Sequence, residues 1–469
     1  MLGREKTFNE MEKIVLLGFL LLSGCQVGPK YHSPEVPVAS SWKNQQTITA
    51  LPQVEHWWEV FQDLKLSGLI DQAISNNPTL AAASQRVEQA RDFAKVAKSR
   101  LFPQLNFDPS ASNTPLRVNS FGSTSNPPPV LIKDHIDEYV LPLTLLYEFD
   151  FWGKWRSQHK SALFRAEAEA AGYQTALLLL TTDLANAYFQ LRIQDAQIEL
   201  LRDILRTRNT ALNIQQSRYD TQLINYSDVA VYKADFSTVE SEYYDALKKR
   251  ALFENQIAVL IGISPSDFKL DSMPLKKMPP QIPATVPAEV LLRRPDLAEQ
   301  ERMMAAIHAE INVAYASYFP SIDLTGALAF LSYDFIKTLK NTWSIGGNLV
   351  QILFDAGGRS SNVKMVTARF NEAFATYQEK ILLAFQEVED SLSSLDWIAK
   401  EMESTENAID ATKIVYQIAL DQYEFGVASY LGTANNERVI LDHQRFYLHL
   451  LSQDYLYTIH LIKSIGGGW

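Results

Sequence analysis

A single cysteine among 469 residues rules out a disulfide framework. Long apolar runs are missing too. The longest, Ile14–Leu22, is nine residues, well short of the roughly eighteen a membrane-spanning helix needs. Positive charge is in deficit: 43 basic against 54 acidic residues leave −11, whereas a nucleic-acid binder needs a basic face. What is present, 46% hydrophobic and 11% aromatic residues, suffices to bury a core, so most of the chain is not disordered.

Residues 1–24 have the order of a secretory signal: Arg4, Lys6 and Lys13, then apolar Ile14–Leu22, then small Ser23 and Gly24. The charged first ten residues leave Met11 as an alternative start. Leu22-Ser23-Gly24-Cys25 resembles the bacterial lipobox, in which the cysteine thiol is acylated and becomes the mature N-terminus. The competing reading is a plain signal with a chance cysteine, but the only cysteine of the chain sits where lipidation requires it. Gln26 follows, and lipoproteins lacking Asp at that position go to the outer membrane, by analogy with that class. Several acyl chains on one terminus anchor stably where one alone binds reversibly.

The chain reads as a duplication. Asn77-Pro78-Thr79-Leu80 matches Arg294-Pro295-Asp296-Leu297 at an offset of 217, as Phe102-Pro103 matches Phe319-Pro320. Phe149-Asp150 then matches Phe354-Asp355 at 205, Tyr219 matches Tyr423 at 204, and Gly262 matches Gly466 at 204. A repeat of about 205 residues follows, with a 12-residue insertion in the first copy between Pro103 and Phe149. Asn126-Pro-Pro-Pro129 makes a loop of that interval.

Each half holds one very long segment with no proline, Lys154–Leu260 in the first and Arg359–Ile465 in the second. Leu177, Leu180, Leu184, Ala187, Leu191, Ile198, Leu201, Leu205 and Leu212 step alternately by three and four, with gaps at Gln194 and Arg208, as in a coiled-coil seam. Polar turn formers between Tyr219 and Asp228 place a hairpin there. The spacing predicts helices over 154–218, about 98 Å long at 1.5 Å per residue, over 229–260, and over Leu64–Arg100. Elsewhere the period falls to two. Tyr139, Leu141, Leu143, Leu145, Tyr147 and Phe149 make one apolar face with aromatics at both ends, the pattern of a membrane β-strand. Ile322–Phe330 and Trp343–Leu353 give two more stripes, and Leu105 and Phe107 begin the first. Half-buried soluble hairpins would show the same alternation; the lipobox and the repeat favour the membrane. Four strands cannot close a barrel and an open edge cannot face lipid, so the sequence asks for an oligomer, most simply a trimer with twelve strands.

Cys25-Gln-Val-Gly-Pro-Lys-Tyr31, Trp57-Trp58-Glu-Val-Phe61, Glu148-Phe-Asp-Phe-Trp-Gly153, Leu291-Leu-Arg-Arg-Pro-Asp296, Phe319-Pro320 and Phe354-Asp-Ala-Gly-Gly-Arg359 occur in order from end to end. Together they resemble the TolC-like outer membrane efflux proteins, and in particular their lipoprotein branch. The resemblance implies a mixed α/β membrane protein: a trimeric twelve-stranded outer-membrane barrel, four strands per chain, continued by a periplasmic helical coiled-coil barrel. It further implies a closed inner end that a periplasmic adaptor and an inner-membrane pump of the RND type open. Asp228 matches an acidic gate position and Tyr423 a gate tyrosine; Gly432, Asn435 and Ala428 stand where TolC has its other gate charges, so a salt-bridged lock at those positions is missing. Gly426-Val427-Ala428 resembles the adaptor-contact tip, and Gln222-Leu223 is the first-copy tip, with Gln222 where the family often has Gly. Asp228 is equally well placed to cap its helix.

The organisation expected is a signal at 1–24, a lipidated extended segment at 25–63, a first repeat at 64–262, a linker at 263–286, a second repeat at 287–466 and a short tail. No catalytic chemistry stands out. Ser361-Asn-Val-Lys364 lacks its companion motifs, there is no H-E-x-x-H, Met303-Met304 fits a core, and Glu387, Glu389 and Asp390 fit a solvated or lumen face and not a metal site. The expected role is a passive exit duct for small toxic compounds, with no cofactor beyond lipid on Cys25 and no nucleic-acid partner. The alternatives are the duct of a type I protein secretion system and a periplasmic scaffold lipoprotein without a pore.

Overall fold

The computed structural model describes residues 27–34, 41–43, 56–115, 135–275, 277–282, 293–333, 339–427 and 430–467. Among them the breaker pattern divides the chain into seven α-helices. α1 (Leu64–Asn76) and α2 (Pro78–Ser99) replace the single helix expected over Leu64–Arg100. Pro78 is the cause: it forces Asn77 into extended backbone (φ −69, ψ 121) and starts a new helix in its own first turn. The Asn77 side chain caps that helix by accepting from Leu80 N–H at 3.0 Å.

α3 (Lys154–Asp220) and α4 (Tyr226–Leu260) are followed by α5 (Pro295–Ala316), α6 (Gly358–Glu424) and α7 (Tyr430–Ser464). The duplication is legible residue for residue, since α3 and α6 each have 67 residues, α4 and α7 each 35, and α2 and α5 each 22. Asp150 and Asp355 each accept backbone N–H groups at the start of the two long helices, at different offsets. Asp150 accepts from Trp155 and Arg156 N–H at 2.9 and 2.8 Å, Asp355 from Gly357 and Arg359 N–H at 3.1 and 3.0 Å.

Two compact units emerge, each built from both halves. One takes in the N-terminal residues through Pro34 with Glu88–Ala168 and Glu301–Ala375; the other takes in Glu35–Val87, Glu169–Gln300 and Thr376–Trp469.

The first unit holds the sheet. β3 (His135–Glu148) lies between β4 (Ser321–Ser332) and two short strands, β1 (Gln104–Phe107) and β2 (Ser110–Pro115); β5 (Lys340–Val350) follows β4. β1 and β2 pair with β3 in one continuous register, Gln104 with Leu146 and Ser110 with Val140, so they are a single strand position interrupted at Asp108-Pro109. Pro109 has no N–H for the ladder. All pairings are antiparallel and in unbroken register, giving the four positions expected. Register turns the stripes into rows: Leu105, Leu145, Gly326 and Ile345 on one face, Asn106, Thr144, Ala327 and Ser344 on the other. The apolar face is bare, with Trp343 73% and Ile345 75% exposed. Among the described residues no strand pairs with the outer edge of β5 or of β1–β2.

Beside the sheet, Ala94, Ala97 and Ala162 pack α2 on α3, and their repeat counterparts Ile311, Ala314 and Val366 pack α5 on α6. The N-terminal strap lies against α5. Val27 N–H donates to Trp152 O at 3.2 Å, and Tyr31 O–H donates to Glu301 at 2.7 Å. Gly28 (φ +113) lies so close to α5 that a Cβ would stand 2.1 Å from Asn312 Oδ1.

The second unit carries the main core. Trp57, Trp58, Tyr188, Phe189, Leu191, Ile257, Tyr455 and Ile459 are its buried centre. Trp57 Nε1 donates to Thr181 Oγ1 at 3.2 Å, and Tyr188 O–H donates at 2.7 Å to Asp63, which also caps α1. Asp195 pins the segment after α4: fully buried, it accepts from Arg192 (3.1 Å), Arg250 (2.7 Å) and Met273 N–H (2.9 Å). The seam predicted on α3 is buried from Leu180 to Leu201, and Met304 of α5, in the other unit, is buried as expected.

Candidate functional site

The tips of the two hairpins are built alike. After α3, Gln222 N–H donates to Tyr219 O (2.8 Å) and Leu223 N–H to Arg218 O (2.9 Å). After α6, Gly426 N–H donates to Tyr423 O and Val427 N–H to Gln422 O, both at 2.9 Å. This is the Schellman closure, which needs a left-handed residue at the turn. Gly426 adopts it at φ 73 and Gln222, with a Cβ, at φ 58. Leu223 is 74% and Val427 80% exposed, and Phe425 is bare as well, so four of the five expected contact residues form bare turns that end in apolar side chains. The fifth, Ala428, lies outside the described residues, as does Cys25.

Asp228 does not cap α4. That position belongs to Asn225, whose carbonyl accepts Asp228 N–H at 3.1 Å, because the helix begins earlier, at Tyr226. Asp228 is exposed in the first turn, where a carboxylate faces the positive end of the helix dipole. Tyr423 is half-buried in the last turn of α6.

Above the tips stands a group of charges that the sequence analysis did not single out. Arg208 of α3, its side chain 2% exposed, lies 2.9 Å from Asp235 of α4 and 2.9 Å from Glu437 of α7. Two turns farther along, Arg445 of α7 meets Glu242 of α4 at 2.6 Å. A cavity of about 330 Å³ lies here, lined by Arg208, Thr238, Glu242, Asn435 and Arg445. Burial pushes the Glu437 carboxyl above its ordinary range, Arg208 opposing and Asp235 adding to it. The signal was present in the sequence: Arg208 and Gln194 are the two gaps of the α3 seam, and both are buried.

The repeated anchors are clasps. Asn77 Nδ2 donates to Leu260 O at 2.9 Å; its counterpart Arg294 donates to Ser464 O at 3.2 Å. Gly262 and Gly466 pass so close that a Cβ would stand 2.5 Å from Asn76 O and 2.7 Å from Arg293 O. Arg294 also pairs with Asp296 (2.8 Å) and Glu387 (2.5 Å), so Glu387 belongs to this clasp and not to a merely solvated face. Burial raises the Asp296 carboxyl, but the Arg294 bonds outweigh it and hold the group below its ordinary range.

At the base of the sheet the rings of Tyr147 and Phe149 meet at 4.8 Å, and Trp152 stacks on Phe319 at 4.6 Å. Such a collar next to a bare apolar face marks a membrane–water boundary. The sequence profile of the outer membrane efflux protein family matches residues 69–263 and 286–467.

The chain belongs to the outer membrane efflux protein family.

The solvent efflux pump outer membrane protein SrpC of Pseudomonas putida is 27% identical over 477 residues, covering 98% of this chain and 99% of the relative. The probable outer membrane lipoprotein SilC of Salmonella typhimurium is 27% identical over 473 residues, covering 98% and 100%. Among solved structures, the outer-membrane channel OprN has the same fold, with a TM-score of 0.85 at 24% identity over 95% of this chain and 100% of that one. The open state of the Neisseria gonorrhoeae MtrE outer membrane channel has a TM-score of 0.83 at 25% identity, over 95% and 98%. The efflux protein described here thus shares the TolC-like fold and is an outer-membrane channel component; its family is one of channels.

Proposed function

We propose that three copies of this chain close into one exit duct, a twelve-stranded barrel in the outer membrane continued by a periplasmic helical tunnel, and that the duct is passive, with no catalysis or cofactor of its own. The observation that carries this reading is the four-position sheet with a bare apolar band across one face, from Tyr139 to Tyr147 on β3, and, among the described residues, two unpaired edges. Open edges are intolerable in lipid and are removed by closure. The exposed turns at Gln222-Leu223 and Gly426-Val427-Ala428 then meet a periplasmic adaptor, through which an inner-membrane pump of the RND type feeds the duct. Three copies of Asp228 ring the closed end, with Tyr423 behind them. Relatives named for toluene, solvent and antibiotic efflux support small toxic compounds as cargo. Lipid on Cys25 adds a second anchor.

Planar-bilayer conductance of the purified protein, with its heat-modifiable gel migration, tests the proposal. Discrete channel steps and a heat-labile trimer are expected. A non-conducting monomer would remove the duct reading.

A further inference from the structure

Below the polar face of the sheet, within the first unit, is a cavity of about 720 Å³ with Glu148, Ser321 and Val350 at its rim. Register places these three side chains on the face opposite the lipid-type stripe, and Phe149, Trp152 and Phe319 of the aromatic collar line the cavity as well, so it lies at the base of the sheet. Its wall combines exposed aromatic surface, Phe93 and Phe149, with two arginines.

The arginines are the same position of the internal repeat. Arg165 on α3 and Arg369 on α6 are spaced as Tyr219 and Tyr423 are, and both reach Glu310 of α5. Arg165 Nη2 donates at 2.5 Å and Arg369 Nη1 at 3.3 Å, and Ser161 Oγ adds a 3.4 Å contact. Two guanidiniums bring ten N–H donors to a carboxylate with about four lone-pair sites. Arg369 makes this one hydrogen bond among the described residues and is 49% exposed. A symmetric cradle would hold a second acid at the first-copy counterpart of Glu310. At the spacing that relates Pro103 to Pro320, that counterpart is Phe93, 58% exposed. The two copies share the cation but not the anion, leaving an unmatched positive charge in the same cavity as an open aromatic ring. Elsewhere on the rim the charges cancel: Lys154 pairs with Glu148 at 3.0 Å, and Asp150 is taken by Arg156 and the α3 N-terminus.

We propose that this cavity is a contact site for aromatic or amphipathic anions, carboxylates or sulfonates, in which Arg369 and Arg165 hold the acid group and Phe93 the ring. The missing acid of the repeat is what such a ligand supplies, by charge-assisted hydrogen bonds in a partly apolar recess. The inference rests on the duct reading for its access, but its chemistry does not.

Naphthalene-2-sulfonate is the probe, titrated calorimetrically into the purified full-length protein, with neutral 2-naphthalenemethanol as control. Saturable binding of one sulfonate per chain is expected, weakened about tenfold in Arg369→Gln. Phe93→Glu, which restores the symmetric acid, should abolish it. Both changed side chains are half-exposed, so the fold does not depend on them. The neutral analogue should bind weakly and be indifferent to Arg369→Gln. Equal sulfonate binding by the wild type and both variants, or none by the wild type, would overturn the site. Block of bilayer current by the same probe separates the two readings: binding without any conductance leaves the site and removes the duct, whereas conductance without binding does the reverse.

Discussion

Gln222 and Gly426 hold the same place in the two halves of the chain, and both are left-handed, at φ 58 and φ 73. Among the described residues four helices end in the same closure, with Gly262, Gly426 and Gly466 at three of the turns and Gln222 at the fourth. A residue with a Cβ stores about 1–2 kcal/mol in that conformation. Gln222→Gly should therefore raise stability by about 1 kcal/mol, net of the extra freedom glycine gives the unfolded chain, and Gly426→Ala should lower it by a similar amount. Denaturant melts of the purified variants give both signs.

Arg208 is the cation between Asp235 and Glu437 at the level just above the tips. Arg208→Gln leaves two partly buried carboxylates facing each other without it, a change of the kind that costs about 3–5 kcal/mol. The α4–α7 contact should loosen, raising bilayer conductance and protease sensitivity around 221–225. Wild-type conductance and proteolysis would show that these ion pairs do not hold the closed tip.

Asp228 is exposed in the first turn of α4. Three copies around one axis should attract cations, and Gly432 and Asn435 supply no second acidic ring. Asp228→Ala should lower cation preference and divalent-cation block while costing α4 only about 0.3–1 kcal/mol of dipole interaction. Reversal potentials in a salt gradient read it; unchanged selectivity puts the acidic constriction elsewhere.

Asp454 stands where the first repeat has Arg250, which pairs with Asp195 and Glu254. Burial alone pushes the Asp454 carboxyl up to about 6. A raised carboxyl binds its proton more readily in the folded state, so stability falls as pH rises from about 4 to about 6. Asp454→Asn should raise the melting temperature at pH 7.5 and change it little at pH 4. A gain of equal size at both pH values would mean the carboxyl's charge is not the cause.

Cys25 is two residues from Val27, whose N–H is held by Trp152 O at the base of the sheet. Cys25→Ser should abolish incorporation of labelled palmitate, and label in the mutant sinks the lipobox reading. Membrane insertion should persist, because the twelve strands of the proposed trimer would bury far more apolar area than the acyl chains do.

Much was written in the sequence alone. Repeat, helix lengths to within a turn, strand stripes and their four positions all follow from period and from where proline and glycine are missing, because local backbone geometry depends on neighbouring residues. The break at Asn77-Pro78 was equally local, and its proline was in view. The tertiary structure alone decided which distant groups meet. Arg208 looked like a flaw in an apolar seam until packing brought Asp235 and Glu437 to it, and Arg165 and Arg369 shared Glu310 only once α3, α5 and α6 came together. Neither pairing has a sequence period, since a charge's partner is chosen by three-dimensional proximity. Desolvation is likewise a property of the assembled fold, which is why the raised Asp454 carboxyl could not be read from its neighbours in the chain.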